Sequence, residues 1–256
     1  MNNNEMLVNI PVYNYKGYIK QCIESLKEQT YTNWHALVVD DCSTDGTQQI
    51  LEDLIGNDDR FTLVRNEKNM CAVYNKTYRV KEMNLPEDTI IVGLDGDDMF
   101  ASKDSLKIIN DYFHEDIWVS WGDLDYTCGA CRYTRPLDWM APPRKQPFVF
   151  HHIKCYRWFV MKNIKYEDLI YEDGVYLKYP EDWIIMYPCV EMAGQLHCRF
   201  INEPLYWYNH GNPISDDKIS ANDIERKRVS KVIVSMPAYE KKSKLELIKG
   251  TCDWKE

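Results

Sequence analysis

No stretch of this sequence approaches the ~20 consecutive apolar residues that a bilayer span needs. Met1 to Asn9 holds no basic segment leading into an apolar one. The expectation is therefore a cytoplasmic protein, in the host cytoplasm if the source is viral, with no membrane span and no cleaved leader. Nothing repeats along the chain and no low-complexity linker divides it. Positive charge is in deficit: 31 Lys and Arg face 40 Asp and Glu, a net charge of −9, with a pI of about 5.2. That balance excludes wholesale coating of nucleic acid or an anionic membrane, though it leaves room for a local basic groove. Zinc-site spacing is missing too. Of nine cysteines only Cys128 and Cys131 form a close pair, and no second pair follows. Free thiols are expected. Asn75-Lys76-Thr77 has the form of a glycosylation sequon, which carries no meaning without secretion.

What is present is ordinary in bulk. The 256 residues are 45% apolar and 28% charged, enough for one large domain or a domain with an appendage. Aromatics stand out at 13%, with 18 Tyr and 8 Trp. In that number they fill a core or line a site for flat, partly apolar ligands such as nucleobases and sugars.

Short β-rich runs alternate with amphipathic stretches through the first half. Strands are expected at Met6–Pro11, Trp34–Asp40, Phe61–Arg65, Thr89–Leu94 and Ile117–Trp121. Helices are expected at Tyr18–Leu26, after an N-cap at Ser43, at Val73–Met83, and after an N-cap at Ser102. This alternation predicts a mainly parallel, doubly wound α/β sheet flanked by helices. Ligands of such sheets bind beyond the carboxyl ends of the strands. That rule selects Pro11-Val-Tyr-Asn14, Asp40-Asp41 and Asp95-Gly-Asp-Asp98.

After Trp121 the pattern breaks into a proline-rich, aromatic loop over 122–147. A helix follows over Trp183–Ala193 despite Pro188, then strands at Cys198–Ile201 and Leu205–Asn209. A basic helix over Asp223–Met236 and a Lys-rich tail close the chain.

Three carboxylates within four residues, at Asp95, Asp97 and Asp98, repel one another and call for something positive; a divalent cation is the natural candidate. Gly96 lets backbone approach a ligand closely. The plain alternative is a solvated acidic turn. In the second acidic turn, Ser43 or Asp45 can cap the following helix, while an Asp can accept a hydrogen bond from a base or a ribose. Tyr13 either stacks on a base or packs.

Taken in order, Asn9-Ile-Pro-Val-Tyr-Asn14, Ile23-Glu-Ser-Leu26, Gln29-Thr-Tyr31, Val38-Val-Asp-Asp-Cys-Ser-Thr-Asp-Gly-Thr47 and Gly93-Leu-Asp-Gly-Asp-Asp98 resemble the inverting glycosyltransferases of family 2, which have the GT-A fold. The resemblance is close over about the first 120 residues. It continues more loosely through Glu181-Asp-Trp183 and Glu203-Pro-Leu-Tyr-Trp-Tyr208 to the region of Asp217. It implies a metal-dependent enzyme moving one sugar from a nucleotide sugar, most typically a UDP-sugar, to a hydroxyl acceptor, a glycan. Pro11 and Tyr13 would sit against the base and Asp41 would hydrogen-bond it. Asp95 would serve the ribose or a metal water. Asp97 would bind Mn²⁺ or Mg²⁺, with His210 as a further ligand, and the ion would stabilise the leaving diphosphate. Asp182 would be the catalytic base. Asp182 and Glu181 also suit a helix N-terminus on electrostatic grounds alone, and a lone His is commonly structural.

The sequence departs from the family pattern in places. Cys71 follows Asn69-Met70 where the family often has Gly. The Gln-x-x-Arg-Trp signature of processive synthases is absent, which implies single-sugar transfer. Tyr208-Asn-His-Gly-Asn-Pro213 with Asp216-Asp-Lys218 resembles a subgroup found in viral and bacterial genomes. For the acceptor side, Trp121, Trp139, Arg157, Glu181 and Trp183 are the candidates, among a wider aromatic run from Trp118 to Trp158. Arg132, Arg135, Arg144 and Lys145 make the 122–147 loop basic, as either a nucleic-acid-reading loop or a lid over a sugar diphosphate would be. The expected organisation is a glycosyltransferase unit over 1–215 and a helical, Lys-rich extension over 216–256. Within the unit, 1–121 binds nucleotide sugar and 122–215 shapes the acceptor side. Glycosylation of modified bases in viral DNA is one alternative; a non-catalytic nucleotide-sugar or glycan binding module is another.

Overall fold

The computed structural model describes residues 3–126, 134–213 and 224–256. Its strands are β1 (Met6–Val12), β2 (Trp34–Asp40), β3 (Phe61–Arg65), β4 (Ile90–Gly93), β5 (Met99–Phe100), β6 (Val119–Tyr126), β7 (Lys154–Arg157) and β8 (Cys198–Tyr208). They form one mixed sheet in the order β3-β2-β1-β4-β7-β6-β8-β5. The first four neighbours are parallel, and β7 then runs antiparallel to both β4 and β6. Every residue of β1 is buried, as a central parallel strand covered on both faces must be.

Period-2 alternation sorts the core into two layers. Met6, Val8, Ile10 and Val12 face one side, with Ile19, Cys22, Ile23 and Leu26 of α1 (Ile19–Lys27) and Leu51 of α2 (Thr47–Ile55). Leu7, Leu37, Val39 and Ile91 face the other. That second layer packs on α8 (Glu181–Ala193), named after α3 (Cys71–Lys76), α4 (Tyr78–Lys81), α5 (Ser105–Tyr112), α6 (Trp158–Met161) and α7 (Tyr166–Leu169). Residues 184–193 of α8 are all buried, Pro188 among them. A helix buried on every side has no amphipathic stripe to read.

Several local expectations are corrected. Ser43 does not cap α2. The residue before α2 is Gly46, at φ 96°, and Ser43 Oγ instead accepts the backbone N–H of Asn14 at 2.9 Å. Asp104, not Ser102, precedes α5. The helix expected over Val73–Met83 is split at Thr77 into α3 and α4, where Thr77 Oγ1 donates to the Val73 carbonyl at 2.6 Å. The two strands expected between Cys198 and Asn209 are one, with register shifts against β6 at Gly122–Leu124 absorbing the irregularity. The chain ends in α9 (Ile224–Ser235) and α10 (Lys244–Lys249), the latter held by a capping box between Ser243 and Glu246. The tail packs onto the body: Trp254 is 1% exposed, meets Trp158 edge-on at 5.7 Å and donates its indole N–H to the Ile164 carbonyl at 2.7 Å. Among the described residues no helix is long and apolar enough to cross a membrane.

Candidate active site

The carboxyl ends of β1, β2 and β4 bring the three selected turns together. Pro11 is buried within β1, opposite Val39. Two residues on, Tyr13 is 41% exposed at the strand's end. Asp41 follows β2, its N–H bonded to the Val12 carbonyl at 2.8 Å. Its carboxylate is 3% exposed and accepts from the backbone N–H groups of Met70 (2.8 Å) and Cys71 (3.0 Å) and from the Asn66 amide (2.7 Å). Asp41 thus fastens the loop that leads into α3. Cys71 occupies φ 69° there, the left-handed conformation that favours glycine.

The turn after β4 separates its three carboxylates by direction. Asp95 Oδ1 pairs with Lys76 Nζ at 2.8 Å. Burial alone would raise Asp95, but the Lys76 ammonium, with Lys154 adding to it, holds its carboxyl well below the usual range. Asp98 turns inward. Its oxygens accept from the Asn209 N–H (2.7 Å) and the Tyr206 hydroxyl (2.6 Å), while burial and then the charges of Asp97 and Asp95 push its pKa well up. Asp97 accepts from the Asn212 amide at 2.6 Å. Burial raises it, Asn212 opposes the rise and Asp95 adds to it, leaving Asp97 at about 6. Gly96 has a packing reason as well: a Cβ there would lie 2.9 Å from Val12 Cγ2 and 3.1 Å from the Pro11 carbonyl. The turn thus packs closely against the protein's own β1.

Glu181 and Asp182 form the first turn of α8. Lys76 reaches Glu181 at 3.1 Å as well as Asp95. Lys154 Nζ donates to Asp182 Oδ1 and lies 3.3 Å from His152 Nε2. Burial, and then the Lys154 ammonium, push His152 well below the usual range, so its imidazole is neutral. The ring stacks on Tyr206 at 4.4 Å and sits 3.5 Å from Asp95 Oδ2. A small cavity, lined by Lys76, Gly93, Lys154, Tyr156 and Asp182 among others, lies where these groups meet. The site is thus an acidic turn joined to an acidic helix start by the buried Lys76, with the buried Lys154 paired to Asp182.

Sequence reasoning missed Lys76, Lys154 and Asn212. Lys76 was visible only as the middle of a sequon whose Asn75 is in fact 1% exposed.

Two acceptor-side expectations are corrected. β7 runs antiparallel to β4, so Lys154 stands opposite Gly93 at the site and Arg157 opposite Ile90 at the far end. There Arg157 bonds Asn4 Oδ1 and the Phe113 carbonyl, both at 3.0 Å. Trp121 is 1% exposed, its indole N–H on the Arg135 carbonyl at 3.1 Å, and belongs to the core. Trp139 is partly buried and packs against the same core. Trp183 lies beside Asp182, stacked on Phe148 at 5.1 Å. Arg144, counted as part of a basic loop, is buried and forms a two-armed ion pair with Glu191 at 2.8 and 3.0 Å. Cys128, Cys131, Arg132, Tyr133 and Asp216 to Lys218 lie outside the described residues.

His210 is exposed in the turn after β8. Its neighbours Asn209 and Asn212 fasten that turn to Asp98 and Asp97. Among the described residues no three His, Cys, Asp or Glu side chains are grouped to hold a metal ion. Asp97 still fits one. It offers hard oxygen donors, and its raised pKa reflects its burial, while Lys76 pairs with Asp95.

The sequence model of Glycosyl transferase family 2 matches residues 7–169. A Bacillus subtilis glycosyltransferase provisionally assigned to teichuronic acid biosynthesis is 35% identical over 109 residues, 42% of this chain and 42% of its own. An Escherichia coli K12 glycosyl transferase provisionally assigned to colanic acid biosynthesis is 31% identical over 156 residues, 58% of this chain and 52% of its own. The chain spans about half the length of these curated relatives. Among solved structures, Staphylococcus aureus TarS 1–349 in complex with UDP-GlcNAc superimposes with a TM-score of 0.65 at 18% identity, covering 95% of this chain and 70% of that one. A Pyrobaculum calidifontis mannosyltransferase in complex with GDP-Man and Mn²⁺ gives 0.57 at 17%, covering 92% and 66%. The mixed eight-stranded sheet flanked by helices is the GT-A fold of such structures.

Proposed function

The chain belongs to glycosyl transferase family 2, and we propose that it moves one sugar, with inversion, from a nucleotide sugar to a hydroxyl of a glycan acceptor. A UDP-sugar is the favoured donor, in keeping with the UDP-GlcNAc complex of the S. aureus neighbour. The observation that carries this reading is the junction of the 95–98 turn with the start of α8 through Lys76, with Lys154 paired to Asp182 beside it. It sets an acidic turn suited to a cation beside a carboxylate able to act as a base.

Tyr13, half-exposed at the end of β1, offers a face to the nucleobase, with Pro11 two residues before it and Asp41, whose N–H bonds the Val12 carbonyl, at the adjoining strand end. Asp95 meets the ribose side. Asp97, with His210 in the adjoining turn, would hold Mn²⁺ or Mg²⁺; a bound ion neutralises charge developing on the leaving diphosphate. Asp182 takes the proton of the attacking hydroxyl. Lys154 occupies its Oδ1, so Oδ2 is the oxygen left to act. Glu181 is held by Lys76 and positions the helix start. Binding alone would need no partly exposed carboxylate beside the acidic turn, and Arg144 has left the basic loop, so neither the non-catalytic reading nor the DNA reading is favoured.

Thermal melting of the full chain with a panel of nucleotide sugars, with and without Mn²⁺, tests this reading. A donor present at about a hundred times its Kd stabilises by about 2.7 kcal/mol. A UDP-sugar should raise the melting temperature, more so with Mn²⁺. The absence of any donor effect, or full metal-independent turnover by Asp97→Ala, would contradict it.

A further inference from the structure

A groove of about 360 Å³ opens beside the first turn of α8, lined by Lys145, Trp183, Ser230, Lys231, Val234 and Ser235. We propose that it is the acceptor subsite and that it selects an anionic saccharide, a sugar chain bearing a carboxylate or phosphate. This rests on the reading of Asp182 as the base.

The floor is an aromatic platform. Trp183 is braced on one face by Phe148 (5.1 Å, 13° between planes) and on its edge by Tyr187 at 5.9 Å. A braced indole loses little freedom when a sugar ring stacks on it. Trp183 follows Asp182 directly, and successive helical residues leave the axis about 100° apart. Asp182 therefore points to Lys154 while Trp183 faces the groove, with about 3.8 Å between their Cα atoms.

The walls supply charge and hydroxyls. Val229 and Ile233 bury one side of α9, which turns Ser230, Lys231, Val234 and Ser235 to the groove. Opposite stands Lys145. Its neighbour Arg144 is buried and bonds Glu191 of α8 and the Ile233 carbonyl of α9, so the turn that carries Lys145 is fixed to both helices. Lys145 and Lys231 are exposed and neither forms an ion pair with a described residue. Two uncommitted ammonium groups flanking an aromatic floor, on a chain of net charge −9, complement a ligand that is a ring with a negative substituent.

The test is capture of the full chain on an array of neutral and acidic oligosaccharides at low salt, with duplex DNA as a further probe. The expected result is selective capture by acidic saccharides. The K145Q/K231Q double variant should weaken it by about tenfold, Trp183→Ala should abolish it, and circular dichroism should show the same fold in both. Asp182→Asn should keep capture. Capture of neutral saccharides only, no acidic capture, capture unchanged in the double variant, or lysine-dependent retention of DNA without acidic saccharide would each overturn the proposal. Turnover kept by Asp182→Asn would instead overturn the assignment of the base, so the two failures are distinct.

Discussion

Lys76 Nζ lies 2.8 Å from Asp95 Oδ1 and 3.1 Å from Glu181 Oε1, so one buried ammonium fastens the turn after β4 to the start of α8. Removing it leaves two carboxylates without their cation. Lys76→Met should cost about 3–5 kcal/mol, the range for breaking a buried ion pair from one side. Denaturant unfolding checks this; a midpoint within experimental scatter of the native chain's would contradict it.

Asp97 links stability to pH in an unusual direction. Its pKa of about 6, against an ordinary 3.8, means the folded chain holds this proton more tightly than the unfolded chain. The penalty is absent below about pH 4, where both states are protonated, and complete above about pH 6. In chelator, native stability should fall relative to Asp97→Asn by about 3 kcal/mol across that window. Parallel unfolding curves at all pH values would contradict it. By the same linkage, divalent-ion binding should weaken as pH drops below about 6.

Gly96 has no room for a side chain, with Val12 Cγ2, the Pro11 carbonyl and Tyr15 Cδ2 all within 3.1 Å of a Cβ. Gly96→Ala should cost about 1–3 kcal/mol and shift the acidic turn, removing the nucleotide-sugar effect on melting. Gly17, where a Cβ would meet nothing within 4 Å, is the control, and Gly17→Ala should stay within about 0.5 kcal/mol. Equal effects at the two positions would contradict the packing argument.

Trp254 tests whether the tail is part of the body. Its burial against Trp158 and its bond to Ile164 predict a loss of about 3–5 kcal/mol for Trp254→Ala. A loss below about 1 kcal/mol in equilibrium unfolding would show that the tail contributes little.

The parallel half of the fold was legible because β1, β2 and β4 are apolar runs that end in turn residues, and the acidic clusters lie at the ends of β2 and β4. The second half was harder for specific reasons. Arg157 was counted on the acceptor side as part of the aromatic run from Trp118 to Trp158, in which no strand was expected, and the antiparallel course of β7 puts Lys154 at the site instead. A buried lysine looks like a solvated one in sequence, which hid Lys76. Ser43 had the chemistry of a cap, but Gly46, at φ 96°, starts α2 instead. Arg144 read as surface charge because its partner Glu191 is 47 residues away. Asp182 was placed by resemblance alone; the residue that touches it came only from the structure.

The role proposed for Asp182 is that of the base that activates the acceptor hydroxyl. Its direct test is UDP release by native and Asp182→Asn chains, using the nucleotide sugar that gives turnover with the native chain. Turnover should fall by about 10²–10⁴-fold, the range for loss of a general base, while the nucleotide-sugar effect on melting stays as in the native chain. An Asp182→Asn rate within about twofold of native would contradict the account.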